Sequence, residues 1–221
     1  PTKPNEHVEK TIIKAILDEE IKPGSSLPGE RTLAARLGVT RPTLREALHR
    51  LERDGWISIN HGKPTMVNDI WKDGNLNILT GMIRYGDALS IDFVRNLLIV
   101  RSDLAPSYAY SAAINDPEKI IYHLKNWVDL EDDPQKYASF DWTLHYKLTL
   151  ASGNPIYTLI INGFSQIYLD LAEKYFEHPG TRAKSLKFYS DLLELFINGD
   201  QDKTYDLTKE IMEESIRLFE L

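Results

Sequence analysis

Apolar positions recur at helical spacing over most of this chain. Val8, Ile12, Ile13, Ile16 and Leu17 fall three or four apart and predict a first helix over about 6–20. Lys22-Pro23-Gly24-Ser25-Ser26 breaks it. Leu33, Ala34 and Leu37 form the inner face of a second helix over about 30–37, and Gly38 follows, as glycine does just past a helix end. Thr40 then stands where an N-cap belongs. Pro42 falls in the first turn, where its missing N–H costs little. Leu44, Ala47, Leu48 and Leu51 carry this third helix to about 54. Beyond Gly55 the period changes. Trp56-Ile57-Ser58-Ile59 and Met66-Val67 read as short strands around a tight turn at Asn60-His61-Gly62-Lys63-Pro64. Two short helices around 37–40 followed by a hairpin predict a winged helix-turn-helix.

From residue 77 onward the pattern is helical throughout. Spans of about 78–85, 90–114, 117–130, 134–151, 155–177, 181–197 and 202–219 are punctuated by Asp116-Pro117, Asp133-Pro134, Asn154-Pro155 and His178-Pro179-Gly180. The expected fold is mainly α: a winged helix-turn-helix over 1–67, a linker over 68–76, and an all-helical bundle over 77–221. So much amphipathic helix can enclose a pocket between its members.

Composition narrows the chemistry. The 221 residues include no cysteine, which excludes thiol catalysis, Cys-ligated zinc, iron–sulfur clusters and disulfides. No apolar run approaches the roughly 18 residues of a membrane span. The charged start lacks the layout of a signal peptide. The expectation is a soluble, cytoplasmic protein with no membrane role. Net charge is −7, but its distribution is uneven. Residues 1–67 carry a net +2, residues 68–221 a net −9, and the segment 31–63 a net +4. A basic segment on an acidic protein is a weak footprint of a polyanion partner; a solvated helical face accounts for the charge equally well. No Gly-rich phosphate loop, nucleophile elbow or HExxH motif is present, so no enzyme is expected.

The third helix is apolar on one side and carries Arg41, Thr43, Arg45 and Arg50 elsewhere. Arg and Thr at a helix N-terminus can offer donors to base edges and phosphates in a major groove. In the C-terminal part, Arg101 lies among Leu97, Leu98, Leu104 and Ala105. A guanidinium on an apolar face needs an anion, either an internal carboxylate such as Asp141 or a ligand's phosphate. Tyr175, Tyr189 and Ser215 also place polar atoms on apolar stripes. Asp141 and His145, at i and i+4, share a helix face; a direct Asp–His hydrogen bond is the expected arrangement, because two ligands alone make a poor metal site.

The run Leu27-Pro28-Gly29-Glu30-Arg31, then Val39-Thr40-Arg41, then Leu44-Arg45-Glu46-Ala47-Leu48, with Asp54-Gly55-Trp56, resembles the GntR family of bacterial transcription regulators. Within it, His61-Gly62-Lys63-Pro64-Thr65, Leu76-Asn77-Ile78-Leu79, Asn96-Leu97-Leu98, Val100-Arg101, Ala151-Ser152-Gly153-Asn154-Pro155-Ile156-Tyr157, Tyr175-Phe176 and Phe188-Tyr189 are similar to the fatty-acid-responsive FadR subgroup. The resemblance implies a homodimer on a palindromic DNA operator, with Arg31, Thr40, Arg41, Thr43, Arg45, His61, Gly62 and Lys63 at the DNA. It implies a ligand region around Arg101, Tyr175, Tyr189, Ser215 and Phe219. The implied effector is a long-chain acyl-CoA, with fatty acid metabolism under control, as repressor or activator, and no required cofactor or metal. Pro42, Met212, Phe219 and His145 depart from the residues usual in the subgroup. Met212 stands where glycine admits the ligand close to backbone. A family member sensing a small organic acid, with or without metal, is the alternative.

Overall fold

The computed structural model describes residues 3–60, 62–86 and 90–219, without the side chains of Gln166 and Phe219. The chain divides into two compact units, Pro1–Leu89 and Ser90–Leu221.

The first unit begins with α1 (Pro4–Leu17), α2 (Glu30–Leu37) and α3 (Arg41–Asp54). Their apolar stripes meet in a core of Val8, Ile12, Leu44, Leu48 and Leu51. Thr40 caps α3, its Oγ1 accepting the Thr43 N–H at 3.4 Å. Gly38 and Gly55 close α2 and α3 at φ of 67° and 92°. The strands β1 (Ile57–Ser58) and β2 (Met66–Val67) pair antiparallel, Ile57 opposite Val67 and Ser58 opposite Met66. At the hairpin turn the Lys63 N–H donates to the Asn60 carbonyl at 3.0 Å, with Gly62 at φ 73°. The expected winged helix-turn-helix is therefore present.

The segment 68–76, read from sequence as a linker, is tied to this unit. Asn68 Nδ2 donates to the Gly55 carbonyl at 3.0 Å, and its Oδ1 accepts from Ser58 Oγ at 2.7 Å. Asn75 Nδ2 reaches the Arg53 carbonyl at 3.2 Å. The next helix, α4 (Asn77–Tyr85), packs on α1 and buries Ile78 and Met82. Gly81 lies against Trp56: a Cβ there would stand 2.6 Å from the indole. By contacts, then, 77–85 joins the first unit, although its sequence pattern groups it with the helices that follow.

The second unit consists of α5 (Ile91–Asn115), α6 (Pro117–Leu124), a 3-10 turn (Lys125–Asp129), α7 (Pro134–Ala151), α8 (Pro155–Gly163), α9 (Ser165–Phe176), α10 (Pro179–Asn198) and α11 (Gln201–Phe219). Helix α5 runs along α11 and against α7. Tyr108, Ala109, Ala112, Ile120, Leu144, Leu148 and Leu192 make the core between them. Ser90, Asp133 and Asn154 cap α5, α7 and α8 with side-chain oxygens. The single helix expected over 155–177 is two. Gly163 weakens the helix where Phe164 donates back three residues, to Ile161 at 2.9 Å, and a new helix starts at Ser165.

Candidate functional site

Two surfaces carry the chemistry, one in each unit. On the first, the buried stripe of α3 turns its other side to solvent and exposes Arg41 and Arg45. Both are held by one carboxylate: Glu30 Oε2 takes Arg45 Nε at 2.8 Å and Arg41 Nη2 at 3.5 Å. Such exposed pairs contribute little stability; their effect is to fix where the two guanidinium groups stand. Thr40 Oγ1 and Thr43 Oγ1 lie 2.9 Å apart at the α3 N-terminus, where backbone N–H groups favour an anion. Arg31 is exposed on α2. Arg45, Asn60, Gly62 and Lys63 line a cleft between α3 and the hairpin turn. Arg31, Thr40, Arg41, Thr43, Arg45, Gly62 and Lys63 thus belong to one small unit, while His61 lies outside the described residues. Glu30, which organises the arginines, was not singled out from sequence; its place in the first turn of α2 was the available sign.

The second surface is internal. A cavity of about 100 Å³ lies among α5, α8, α9, α10 and α11, lined mostly by apolar side chains, Met212 included. Arg101, Tyr108, Asp141, Tyr168 and Tyr175 supply polar groups to its wall, and Ser185 and Ser215 also line it. The Arg101 side chain is 19% exposed and that of Asp141 9%. Arg101 Nη2 donates to Asp141 Oδ2 at 3.3 Å and to His145 Nε2 at 3.0 Å. The Arg101 guanidinium also sits over the Tyr168 ring, 4.9 Å from its centroid. Tyr168 donates to Asp141 Oδ2, and Tyr189 donates to Asp141 Oδ1 at 2.8 Å. Tyr108 Oη lies 2.6 Å from His145 Nδ1.

This geometry resolves the open question about Arg101: its anion is Asp141. It also corrects the expected Asp–His hydrogen bond. Asp141 Oδ2 and His145 Nε2 are 3.9 Å apart, and Arg101 Nη2 contacts both. The guanidinium is the better partner, because it brings a full charge to a carboxylate removed from water.

Burial opposes the charge on Asp141. The Arg101 cation and the hydroxyls of Tyr168 and Tyr189 outweigh it and hold the carboxyl below its usual range. Burial pushes the His145 pKa down to about 3 and the Tyr175 hydroxyl up to about 12.

The residues expected at the ligand are distributed unevenly. Arg101, Tyr175 and Ser215 reach the cavity. Tyr189 is fully buried behind it and orients Asp141. Ser215 Oγ donates to the Met212 carbonyl at 2.7 Å. Phe219 ends α11, and its side chain lies outside the description. Tyr108 and Tyr168 were missed. Helical spacing carried the signal: Tyr108 stands seven residues after Arg101, and Tyr168 seven before Tyr175, each pair on one face.

Comparison with known proteins also finds two parts, with the boundary at residue 67 and not at 89. Residues 4–67 match the family described as "Bacterial regulatory proteins, gntR family", and residues 68–220 match the "FadR C-terminal domain". A "Fatty acid metabolism regulator protein" of Shewanella pealeana (strain ATCC 700345 / ANG-SQ1) is 40% identical over 220 residues, covering 97% of this chain and 92% of that protein. The protein of the same name in Klebsiella pneumoniae (strain 342) is 39% identical over 201 residues, 91% of this chain and 84% of its own. Among solved structures, the Listeria monocytogenes protein Lar superposes with a TM-score of 0.65 at 18% identity, covering 99% of this chain and 97% of its own. A Streptococcus agalactiae GntR protein gives 0.50 at 22% identity, covering 96% and 99%. The winged helix, the helical second unit and these matches along nearly the whole sequence agree: the chain belongs to the GntR family of bacterial regulatory proteins and carries a FadR C-terminal domain.

Proposed function

We propose that this GntR-family transcription regulator controls fatty acid metabolism as a cytoplasmic homodimer on a palindromic operator, and that long-chain acyl-CoA modulates its DNA binding. It acts as a regulator and not as an enzyme. The observation that carries the reading is the apolar cavity with the Arg101–Asp141 pair in its wall. A hydrocarbon chain gains by burial there, at about 0.8 kcal/mol for each methylene. The curated relatives, named for fatty acid metabolism, support the same effector class. On DNA, α3 enters the major groove, Arg41 reads a guanine edge, and Thr40 and Thr43 hold phosphate. Two such helices must stand about 34 Å apart to meet successive grooves, and the effector acts by changing how often the dimer meets that requirement. No metal is needed. His145 Nε2, the atom that would ligate one, accepts from Arg101 instead.

The test starts from an operator selected out of random duplexes. Palmitoyl-CoA should lower affinity for it by about 5- to 150-fold, the usual range of such coupling. Arg101→Ala should keep operator affinity and lose the response. The variant's melting must be followed alongside, because removing one partner of a buried pair costs about 3–5 kcal/mol. A well-folded wild type that binds no acyl-CoA in calorimetry overturns the effector assignment; response to a small organic acid in its place establishes the other reading.

A further inference from the structure

The hairpin of the first unit is too short to hold its own position. Two residues pair in each strand, and isolated two-stranded hairpins are marginal in water. Its second arm is fixed from outside: the Leu27 N–H donates to the Thr65 carbonyl at 2.8 Å, and the Val67 N–H to the Ser25 carbonyl at 2.9 Å. The first arm is anchored at its base, where Trp56 and Ile57 are fully buried. Ile59, two residues on, is only half-buried, and the turn begins at Asn60, whose carbonyl takes the Lys63 N–H. Hydrogen-bonded and non-hydrogen-bonded positions alternate along an antiparallel strand. The Asn68 N–H donates to the Trp56 carbonyl, so Trp56 and Ser58 face β2 and the Ile59 N–H points away from it. That N–H donates to Glu52 Oε1 of α3 at 3.0 Å. The other oxygen, Oε2, lies 3.5 Å from His49 Nδ1. Among the described residues, Glu52 is the one side chain of α3 that hydrogen-bonds to the hairpin.

Arg45, His49 and Glu52 stand at i, i+4 and i+7, so they share one side of α3. Arg45, His49, Ile59, Asn60, Gly62 and Lys63 line one cleft. A carboxylate on this side, 38% exposed, works by its charge against a polyanion. Its hydrogen bond gives it a use there: it ties the start of the turn to the helix that carries Arg45. We propose that Glu52 is a positioning residue for DNA binding. It touches no DNA, and through the Ile59 N–H it places the turn so that Lys63 reaches the duplex backbone while α3 lies in the groove. The inference rests on the DNA reading above and goes beyond its direct contacts.

Three variants of the full-length protein separate position from charge. Glu52→Gln keeps an acceptor oxygen at the same reach and loses the charge. Glu52→Asp keeps the charge and is one methylene shorter. Glu52→Ala loses both. Two comparisons are made at equal charge, by fluorescence anisotropy on the selected operator. Glu52→Asp should bind about 2- to 10-fold more weakly than wild type, and Glu52→Ala about 2- to 10-fold more weakly than Glu52→Gln. In both weakened variants log K against log salt should be shallower by about one, because the Lys63 phosphate contact is lost. Lys63→Ala should therefore weaken wild type and change Glu52→Ala little. Suppose instead that Glu52→Ala and Glu52→Gln bind alike, and both tighter than wild type and Glu52→Asp. Charge alone then decides, and the inference is overturned while the DNA reading stands. Full additivity of Glu52→Ala with Lys63→Ala overturns it too. A wild type that binds no duplex removes the DNA reading and this inference together. Melting of each variant is followed alongside, and amide exchange on wild type needs no variant at all. The Ile59 N–H should exchange no faster with operator bound than without it. Faster exchange in the complex means that the bond to Glu52 opens on DNA, and overturns the inference as well.

Discussion

His123 and His145 are buried uncharged, and that fixes how stability responds to acid. His123 stacks on Phe140, their ring centroids 4.3 Å apart, and its Nε2 contacts the Phe140 carbonyl at 3.2 Å. Burial, with Lys147 alongside, pushes its pKa down to about 4, and burial pushes that of His145 to about 3. In the unfolded chain both rings protonate near pH 6.5. Below that value the unfolded state binds protons that the folded state refuses, so stability falls as pH drops toward 4. The slope should approach about 1.4 kcal/mol per pH unit for each ring. Asp141 adds a loss at lower pH, because its depressed pKa stabilises the folded state only above the ordinary carboxylate value. Urea melts between pH 6.5 and 4.5, followed by near-UV circular dichroism, should show the decline. His123→Phe should remove about half of its slope; an unchanged slope assigns the protons elsewhere. The polar cluster was only partly legible in the sequence. Arg101 stood out because charge on an apolar stripe demands a partner, and Asp141 was among the partners considered. That Arg101 would contact both Asp141 and His145 depends on how α5 packs against α7, which no local spacing encodes.

At the scale of the element, helix limits were readable wherever a local signal sets them. Thr40, Asp133 and Asn154 cap their helices, and Gly38 and Gly55 adopt the left-handed conformation that ends α2 and α3. The break at Phe164 and the docking of 68–85 were not readable. The first lies inside a continuous apolar run. The second arises because Asn68 and Asn75 find backbone partners around α3, and Gly81 permits contact with Trp56. The element whose setting matters most for DNA is α3, with Glu30 of α2 binding both of its leading arginines. In the proposed DNA-bound state a phosphate or a guanine edge must compete with that carboxylate. Glu30→Gln removes a negative charge from the surface and frees Arg41 and Arg45. Affinity for random duplex should rise, and the salt dependence should steepen by up to about one unit in log K against log salt, since one further phosphate contact becomes available. Discrimination between operator and random duplex should fall, because the arginines lose the carboxylate that fixes their direction. Fluorescence anisotropy over a salt series on both duplexes checks this. An operator-to-random ratio unchanged by the substitution rejects the orienting role of Glu30.

For the whole molecule, the uneven charge separates two tasks. The excess of acid lies beyond residue 67, and the basic segment coincides with the helix and hairpin proposed to face DNA. A chain of net −7 can therefore bind a polyanion through one small unit. The proposed effector site lies in the other unit, so the proposed control must be a coupling free energy between two separate sites. Such coupling is reciprocal. If palmitoyl-CoA lowers operator affinity by some factor, saturating operator must lower palmitoyl-CoA affinity by the same factor. This follows whatever path the coupling takes, and it can be measured without knowing that path. Operator affinity is determined with and without saturating ligand, and ligand affinity with and without saturating operator, at one salt concentration, because phosphate contacts alone change DNA affinity steeply with salt. The two ratios should agree, within the range of about 5 to 150 expected of such coupling. Unequal ratios would mean that ligand and DNA are linked by something outside this cycle, such as ligand-driven dissociation of the dimer. Repeating the cycle at several protein concentrations isolates that case: a ratio that grows on dilution assigns the coupling to dimerisation, and a constant ratio assigns it to a change within the assembled dimer.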